Sequence, residues 1–223
     1  MMRQRSIFDV VGPVMVGPSS SHTAGAARLG ALARAIAGGD VQSAAVTLHG
    51  SFASTGRGHG TDLALVGGLL GFAPDDIRIR DAFALAREAG VRVEFARADL
   101  GDVHPNTARI EVTTAADETV LVQGSSVGAG DVEITLIDDF PVRLTGELPA
   151  LGVVHHDRPG VVAAVSAHLA ADAINIASMQ VFRERRGARA LMVIETDEPV
   201  PAGVADGIAT LDGVTTVRVV PSV

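Results

Sequence analysis

Cysteine, lysine, tryptophan and tyrosine are all missing from this 223-residue chain, and its 18 basic residues are all arginine. Without cysteine, the chain has no disulfide, no thiolate nucleophile and none of the usual protein ligands of an iron–sulfur cluster. Without lysine, it cannot form the internal Schiff base of pyridoxal-phosphate enzymes or supply the lysine of a Walker phosphate loop. Any thiolate-bound metal would therefore have to arrive on another chain.

The chain also has little positive charge and no long apolar run. Its formal net charge is −8 and its isoelectric point is near 5.3, and no basic stripe is interleaved with aromatic residues, so nucleic acid is not an expected partner. No run approaches the roughly 18–20 apolar residues of a membrane span. The beginning, MMRQRSIFDVVGPV, has too short an apolar stretch for a signal peptide. We therefore expect a cytoplasmic protein with no membrane partner.

What the sequence does contain is a large apolar content in two successive patterns. With 47% hydrophobic residues and a mean hydropathy of +0.32, the chain can bury substantial cores. Its length suits one large domain or two of about 100–150 residues each. The pattern changes around TGELPAL, which contains a glycine and a proline. We therefore predict one domain over 1–147 and a second, closely coupled to it, over 148–223.

The first domain has the pattern of an α/β domain. Helical apolar spacing predicts a helix over Ala24–Ala37, ended by Gly38 and Gly39. A short strand over 44–48 and a glycine-rich loop, HGSFASTGRGHGTD, come next, followed by helices over 63–70 and 81–89. Strand-like alternation then recurs in VRVEFA, TARIEVTT, TVLVQG and VEITLID. These segments predict a mostly antiparallel sheet, and the chain as a whole is predicted to be α+β.

The second domain has a more regular order. Strand, helix, strand, strand, helix and strand are predicted in turn for ALGVVHH, VVAAVSAHLAAD, INIASMQVFRE, RALMVIETD, PAGVADGIATL and VTTVRVV. The β-α-β-β-α-β order is that of a ferredoxin-like unit. Because this fold supports many unrelated activities, the order alone does not indicate a function.

A hydroxyl-rich turn, GPSSSHTAGAARLG, precedes the first predicted helix. Hydroxyl groups there can accept hydrogen bonds from the unpaired N–H groups of the helix, and the helix end favours a bound anion. Two interpretations stay open: a carboxylate or phosphate site, and a helix capped more than once. The residues concerned are Ser19, Ser20, Ser21, His22 and Thr23.

Further histidines lie outside the predicted helices. His59 and Asp62 occupy the glycine-rich stretch GRGHGTD, His104 precedes a proline in HPNTA, and His49 lies in LHGS. Each alone is best explained as a structural or surface residue, whereas together they indicate one polar site. Spacings typical of a metal site, such as HxH or HExxH, are missing, so no metal ligand is predicted in this chain.

Three motifs give the chain a family resemblance. SIFDVVGPVMVGPSSSHTAGAARLG, LHGSFASTGRGHGTDLALVGGLLG and HPNTARI resemble the β subunit of bacterial iron–sulfur-dependent L-serine dehydratases, and the likeness covers essentially the whole chain. The resemblance implies a first domain similar to the allosteric substrate-binding domain of some phosphoglycerate dehydrogenases and a C-terminal ACT domain. It also implies a separate α subunit, whose cysteines hold a 4Fe-4S cluster with one iron open to substrate.

The implied reaction converts L-serine to pyruvate and ammonia. Iron would assist departure of the β-hydroxyl, a histidine would take the Cα proton, and an anion cradle would hold the carboxylate. On this basis His59 is predicted to transfer the proton, with His22 as a second catalytic residue. The predicted substrate-binding residues are Ser19, Ser20, Ser21, Thr23, Thr61, Asp62, His104 and Asn106, with Thr61 and Asp62 supporting His59.

The ACT-like domain has its own predicted site, at the turn HHDRPGVV. Relatives that bind serine there use a histidine and an asparagine in the turn and a second asparagine on the next strand. The matching positions here are His155, Asp157 and Asn175, and Gly160 would let the helix start closely. Because Asp157 would oppose a carboxylate, a packing module without ligand stays an alternative. We also expect a homodimer through the ACT or the N-terminal domain.

Two other functions stay open. A non-catalytic amino-acid sensor would use the same anion sites, and a cysteine-bearing α chain beside this one would favour the lyase. A single-chain, histidine-dependent hydrolase predicts bound zinc and activity without a partner. The sequence offers no triad or ligand spacing for it.

Overall fold

The computed structural model describes residues 13–223, which form six α-helices and ten β-strands. Residues 1–12 lie outside the described residues. They include most of the N-terminal stretch MMRQRSIFDVVGPV and the beginning of the longest family motif. The helices are α1 Ala26–Ala37, α2 Gly50–His59, α3 Thr61–Leu69, α4 Ala82–Glu88, α5 Val161–Ala171 and α6 Ala202–Ala209. The strands are β1 Val41–Leu48, β2 Arg92–Arg97, β3 Thr107–Thr114, β4 Thr119–Gly128, β5 Asp131–Ile137, β6 Phe140–Leu144, β7 Ala150–His156, β8 Ile176–Arg183, β9 Arg189–Thr196 and β10 Val214–Val220. Among these described helices, none is long and apolar enough to cross a membrane.

The first sheet has six strands in the order β2-β1-β3-β4-β5-β6. β1 and β2 are parallel and the other neighbouring pairs are antiparallel, which confirms the predicted mostly antiparallel sheet. Helix α1 contacts β3 and β4 and also packs against α3. A Cβ atom on Gly68 would lie 2.0 Å from the Ala27 carbonyl oxygen, and one on Gly30 would lie 2.4 Å from that of Leu65. The two helices therefore touch through glycines.

The second sheet has the order β10-β7-β9-β8 and is antiparallel throughout. With its two helices it forms the predicted ferredoxin-like unit. One face, which includes Leu151 and Met192, packs in a core with α5 and α6. Residues of the opposite face, such as Leu191 and Val193, join the core of the first domain. Because strand residues alternate between faces, the same strands contribute to both cores.

One prediction for the first domain is wrong. The glycine-rich stretch over 49–62 is mostly helical, in α2 and the start of α3, where a loop was predicted. Phe52 is completely buried and anchors α2, while Gly50 and Gly60 adopt φ angles of +53° and +70° at its two ends. Glycine has a low helix propensity, so the three glycines within α2 weaken the helical signal in the sequence. The helix is stabilised instead by tertiary burial.

The edge strand β6 is a second difference, since no strand was predicted over Phe140–Leu144. It contains Pro141, which weakens the sequence signal for a strand but is tolerated at a sheet edge. The other predicted strands and helices are present with shifted ends.

Candidate functional site

The serine-rich turn forms a π-helical turn, Ser20–Gly25, that runs directly into α1. Ser19 is its N-cap, and the Ser19 Oγ accepts a hydrogen bond from the His22 N–H at 3.3 Å. Ser20 and Ser21 lie half-buried in the first turn. Thr23 is buried, and its hydroxyl donates to the His59 carbonyl oxygen at 3.4 Å. Capping therefore uses Ser19, while Thr23 ties the turn to the end of α2.

The His22 imidazole lies against the first two turns of α2. Its Nε2 atom is 3.0 Å from the Thr55 Oγ1 and 3.2 Å from the Ser51 Oγ. The ring also makes an edge contact with Phe52, with the ring centroids 5.2 Å apart. Ser51 and Thr55 are one helical turn apart, so α2 presents both hydroxyls to the same side.

The Thr55 hydroxyl lies within hydrogen-bond distance of both the Ser51 carbonyl oxygen, at 2.9 Å, and the His22 Nε2, at 3.0 Å. When it donates to the carbonyl, it can only accept from His22, and the His22 Nε2 then carries the ring proton. In that arrangement the Nδ1 atom keeps its lone pair and faces the Ser19 Oγ at 3.4 Å.

His59 lies at the C-terminal end of α2, and its ring centroid is 4.9 Å from that of His22. The Nδ1 atom of His59 is 3.1 Å from the Thr55 carbonyl oxygen, and donation to that carbonyl requires a proton on Nδ1. In the neutral ring, Nε2 then carries the lone pair. The structure thus places a second imidazole, oriented as a base, next to the first.

Burial lowers the pKa of His22 from its ordinary value, and the nearby His59 lowers the pKa further. A hydrogen bond with the Ser51 backbone acts in the opposite direction and raises it. The lowered pKa favours the neutral form of His22 at pH 7.

The segment with His104 and Asn106 docks onto the start of α2. The Pro105 carbonyl oxygen accepts from the Ser51 N–H at 2.8 Å. The His104 Nδ1 accepts from the Asn106 N–H at 3.1 Å, and the Asn106 carbonyl oxygen accepts from the Ser126 N–H at 3.0 Å. This segment therefore belongs to the same side of the molecule as the two imidazoles.

Two buried polar atoms near this segment have no partner within the described part of the chain: the Asn106 Oδ1 and the Ser126 Oγ. A Cβ atom on Gly25 would lie 2.1 Å from the Ser126 Oγ, so Ser126 packs against the end of the serine-rich turn. Buried hydroxyl and amide groups are normally satisfied. Both atoms could therefore form a hydrogen bond with a molecule bound beside the turn.

Thr61 and Asp62 do not lie where the prediction needs them. Thr61 is fully buried, and its side chain is 3.3 Å from the position of a Cβ on Gly56, so it packs on the back of α2. The Asp62 Oδ1 accepts from the Leu63 N–H at 2.9 Å, and Asp62 lines a different cleft, with Phe83 and Arg97. The His59 ring is hydrogen-bonded by the Thr55 carbonyl oxygen and not by Thr61 or Asp62.

His49 is also engaged elsewhere, since its Nδ1 accepts from the Leu100 N–H at 3.1 Å and lies 3.6 Å from an Asp99 carboxylate oxygen. The structure therefore brings His22 and His59 into contact and leaves His49 apart from them. Within residues 13–223, there is no group of three or more metal-ligating side chains.

Ser51 and Thr55 are the site residues that the sequence interpretation missed. Both lie in the stretch read as a loop, where their spacing carries no meaning. Read as a helix, SFAST places two hydroxyls at i and i+4 on one face, which is the signal that could have found them.

The ACT-domain positions are split between the two ends of the sheet. His155 is buried, with its Nδ1 donating to the His156 carbonyl oxygen at 2.9 Å, and Gly160 precedes α5 with a φ angle of +94°. Asn175 lies just before β8, at the opposite end, and donates to Asp197 at 2.6 Å. One chain therefore does not bring all four predicted residues together.

Asp157 already has partners within the chain. Its Oδ2 accepts from the Gly187 N–H at 3.0 Å and from Arg183 at 3.2 Å. The hydrogen bond from Gly187 and the neighbouring Arg183 lower the pKa of the Asp157 carboxyl. The carboxylate thus holds the β8–β9 hairpin and is not directed at a ligand.

Comparison with known proteins decides the family. Residues 6–137 match the family model of the serine dehydratase beta chain. The chain belongs to this family. Residues 150–211 of this chain match the family model of the ACT domain, which confirms the predicted nature of the second domain.

Individual relatives agree with the family. The probable L-serine dehydratase beta chain of Bacillus subtilis is 45% identical over 213 residues, covering 96% of each chain. The L-serine dehydratase beta chain of Peptoniphilus asaccharolyticus is 38% identical over 220 residues, covering 98% of this chain and 99% of its own. A D-3-phosphoglycerate dehydrogenase of Synechocystis is 29% identical over 188 residues, covering 83% of this chain and 34% of its own. The predicted family resemblance is confirmed.

Proposed function

We propose that this chain is the β subunit of an L-serine ammonia-lyase, which converts L-serine to pyruvate and ammonia together with a cysteine-bearing α subunit. The observation that carries the proposal is the contact of two imidazoles in a hydroxyl-rich site of a chain that resembles L-serine dehydratase beta chains over its whole length. The chain has no cysteine or lysine of its own, and this supports a division of the chemistry between two subunits.

The histidine and hydroxyl donors described above do not fit an iron–sulfur cluster, whose usual ligands are thiolates. A 4Fe-4S cluster is therefore assigned to cysteines of the α subunit, and no residue of this chain is proposed to hold it.

The serine-rich turn is proposed to bind the substrate carboxylate. Its N–H groups begin a continuous helical run into α1, so the positive end of the helix dipole lies at the turn. Ser20 and Ser21 add hydroxyl donors, Thr23 holds the turn against α2 through the His59 carbonyl, and His104 and Asn106 extend the polar surface beside α2. A fixed carboxylate orients the Cα–H bond and accommodates the charge that develops as the proton leaves.

His59 is proposed to take the Cα proton at its Nε2 atom. The Nδ1–H bond to the Thr55 carbonyl keeps the lone pair on Nε2 and stabilises the imidazolium that forms. A neutral His22 next to it supports this role, since a charged neighbour would oppose protonation of His59. His22 itself is proposed to orient the turn through Ser19, Ser51 and Thr55.

The test is His59→Asn in the assembled enzyme. Loss of a general base lowers turnover by about 10²–10⁴-fold, and we expect kcat to fall within this range with little change in α-subunit binding. His49→Asn is the matched control, because His49 lies outside the imidazole pair and is expected to retain turnover. Near-normal kcat in His59→Asn would remove the assignment.

For the ACT domain we propose an effector site built from two copies of the chain. His155 and Gly160 lie at one end of the sheet and Asn175 at the other, so a site that uses all three needs a second copy to supply one end. This arrangement also accounts for the expected homodimer. We place the enzyme in the cytoplasm, where a reducing environment would preserve the cluster.

A further inference from the structure

A cavity of about 390 Å³ lies between the two domains. Its floor is the face of the ACT-domain sheet that turns away from α5 and α6, and its roof is formed by the end of α1 and by the β4–β6 region of the first domain. The volume is within the range of small-ligand pockets, about 300–1,000 Å³, and near its lower limit.

The wall of the cavity is aliphatic and has no aromatic ring among its described lining residues. The largest aliphatic side chains that line it are those of Ile36, Ile137, Leu144 and Leu191. A wall of this kind favours an aliphatic group of a few carbon atoms.

The rim carries charges of both signs. Arg218 pairs with Glu118 on one side. On the other side Arg189 lies 3.7 Å from Asp138, and it also pairs with Asp139 at 3.4 Å and Glu184 at 2.7 Å. The Arg218–Glu118 and Arg189–Asp138 pairs line the cavity, and their side chains stay partly exposed. Both of these pairs join the ACT domain to the first domain, so a molecule at the rim meets cationic and anionic groups from the two domains together.

Small residues keep the cavity open. Gly152 lies in the middle of β7 and faces the space, and a Cβ there would meet its nearest neighbour only at 3.9 Å, on Arg218. Protein interiors are otherwise close-packed, and an apolar void of this size forfeits contacts that a larger side chain would make. A glycine in a strand often marks a place where a ligand approaches closely.

We propose that this cavity binds an aliphatic α-amino acid as a regulatory ligand. The aliphatic side chain packs against Ile36, Ile137 and Leu191, and the zwitterionic head exchanges with the two ion pairs at the rim, carboxylate to arginine and ammonium to glutamate or aspartate. The site is distinct from the turn before α5 and does not depend on the proposed catalytic function.

Helix α1 connects the cavity to the imidazole pair. Ile36 lines the cavity near the end of α1, and the serine-rich turn with His22 leads into its start. The 12 residues of α1 correspond to about 18 Å at 1.5 Å per residue. Helix α1 is therefore the connection through which we propose that occupation of the cavity acts on the serine-rich turn.

The first experiment is methyl NMR of the full chain with labelled isoleucine side chains, titrated with L-leucine. We expect saturable shifts at Ile36 and Ile137 and none at Ile208, which lies in the core under α6. L-Serine, which lacks the aliphatic group, and 4-methyl-2-oxopentanoate, which lacks the ammonium, are expected to bind at least ten-fold more weakly. Absence of shifts at millimolar L-leucine, shifts centred on Ile208, or equal binding of the oxo acid would each overturn the proposal.

The second experiment fills the cavity. Gly152→Leu is expected to reduce the affinity for L-leucine at least ten-fold in calorimetry, while Gly203→Leu, the same substitution at an open position of α6, leaves it unchanged. Unchanged affinity in Gly152→Leu would contradict the proposal. Should Gly152→Leu fail to fold, the NMR titration of the wild-type chain decides the question alone.

Discussion

At the scale of single residues, the proposed site depends on two imidazoles to which we assign different protonation roles. His22 is held by hydroxyl groups and its lowered pKa favours the neutral form, whereas His59 is fixed through Nδ1 and keeps Nε2 free. Environments that separate the roles of two titratable groups are typical of acid–base sites. Each role can be tested by a change that leaves the rest of the network in place.

Thr55→Val removes the hydroxyl that accepts from His22 but leaves the backbone carbonyl that holds His59. A hydrogen bond of this kind contributes about 0.5–1.5 kcal/mol, so we expect kcat to fall about two- to ten-fold. Thr55→Ser restores the hydroxyl and is expected to restore kcat. In pH–rate profiles of the assembled enzyme, the acid limb should shift in Thr55→Val and not in Thr55→Ser. Equal profiles for the two variants would contradict a positioning role.

The lowered pKa of His22 also predicts how stability depends on pH. The unfolded chain, with an ordinary histidine pKa near 6.5, binds a proton more readily than the folded one as pH falls through this value. Acidification from pH 7.5 to 5.5 is therefore expected to lower the free energy of unfolding more in the wild type than in His22→Gln. Urea denaturation at the two pH values measures the difference, and identical losses would show that His22 is not buried as described.

At the scale of elements, the close contact of α1 and α3 positions the serine-rich turn over α2. Gly68→Ala would place a methyl group 2.0 Å from the Ala27 carbonyl, so the helices must separate. Overpacking of this kind costs about 1–3 kcal/mol, and we expect a loss of that size in urea denaturation. Gly203→Ala in α6, where an added Cβ meets nothing within 4 Å, is the control and is expected to stabilise slightly. A neutral Gly68→Ala would show that the helices pack less closely.

How far the sequence predicts these elements depends on what each one rests on. Helix α1 and the ACT-domain elements follow from apolar periodicity, which is local information. Helix α2 could not be read in this way, because Gly56 and Gly58 dilute its propensity and its stability comes from buried Phe52. Because α2 was not predicted, the spacing of Ser51 and Thr55 on one helix face was not recognised either. The contact between His22 and His59 is tertiary. The two residues could therefore be predicted as site residues from the sequence, but their geometry could not be predicted.

The ACT-domain positions are a different case. His155, Asp157 and Gly160 follow the end of β7, whereas Asn175 precedes the start of β8, and the two strands run in the same direction because both are antiparallel to β9. Since a helical crossover joins parallel strands, the predicted β-α-β order already implies that Asn175 lies at the other end of the sheet.

At the scale of the whole molecule, the chain is one half of an enzyme. Its first domain carries the proposed proton-transfer and carboxylate groups, and its ACT domain packs on that domain through a shared core and the ion pairs of Arg189 and Arg218. Cysteine and lysine are missing throughout, and we propose that the group that loosens the substrate hydroxyl comes from a partner.

The most direct test of this division of labour is to purify the chain alone and together with a cysteine-bearing α subunit, both without oxygen, and to measure bound iron and pyruvate formed from L-serine. We predict iron and pyruvate with the pair and neither with the chain alone. Pyruvate formation by the chain alone would contradict the account.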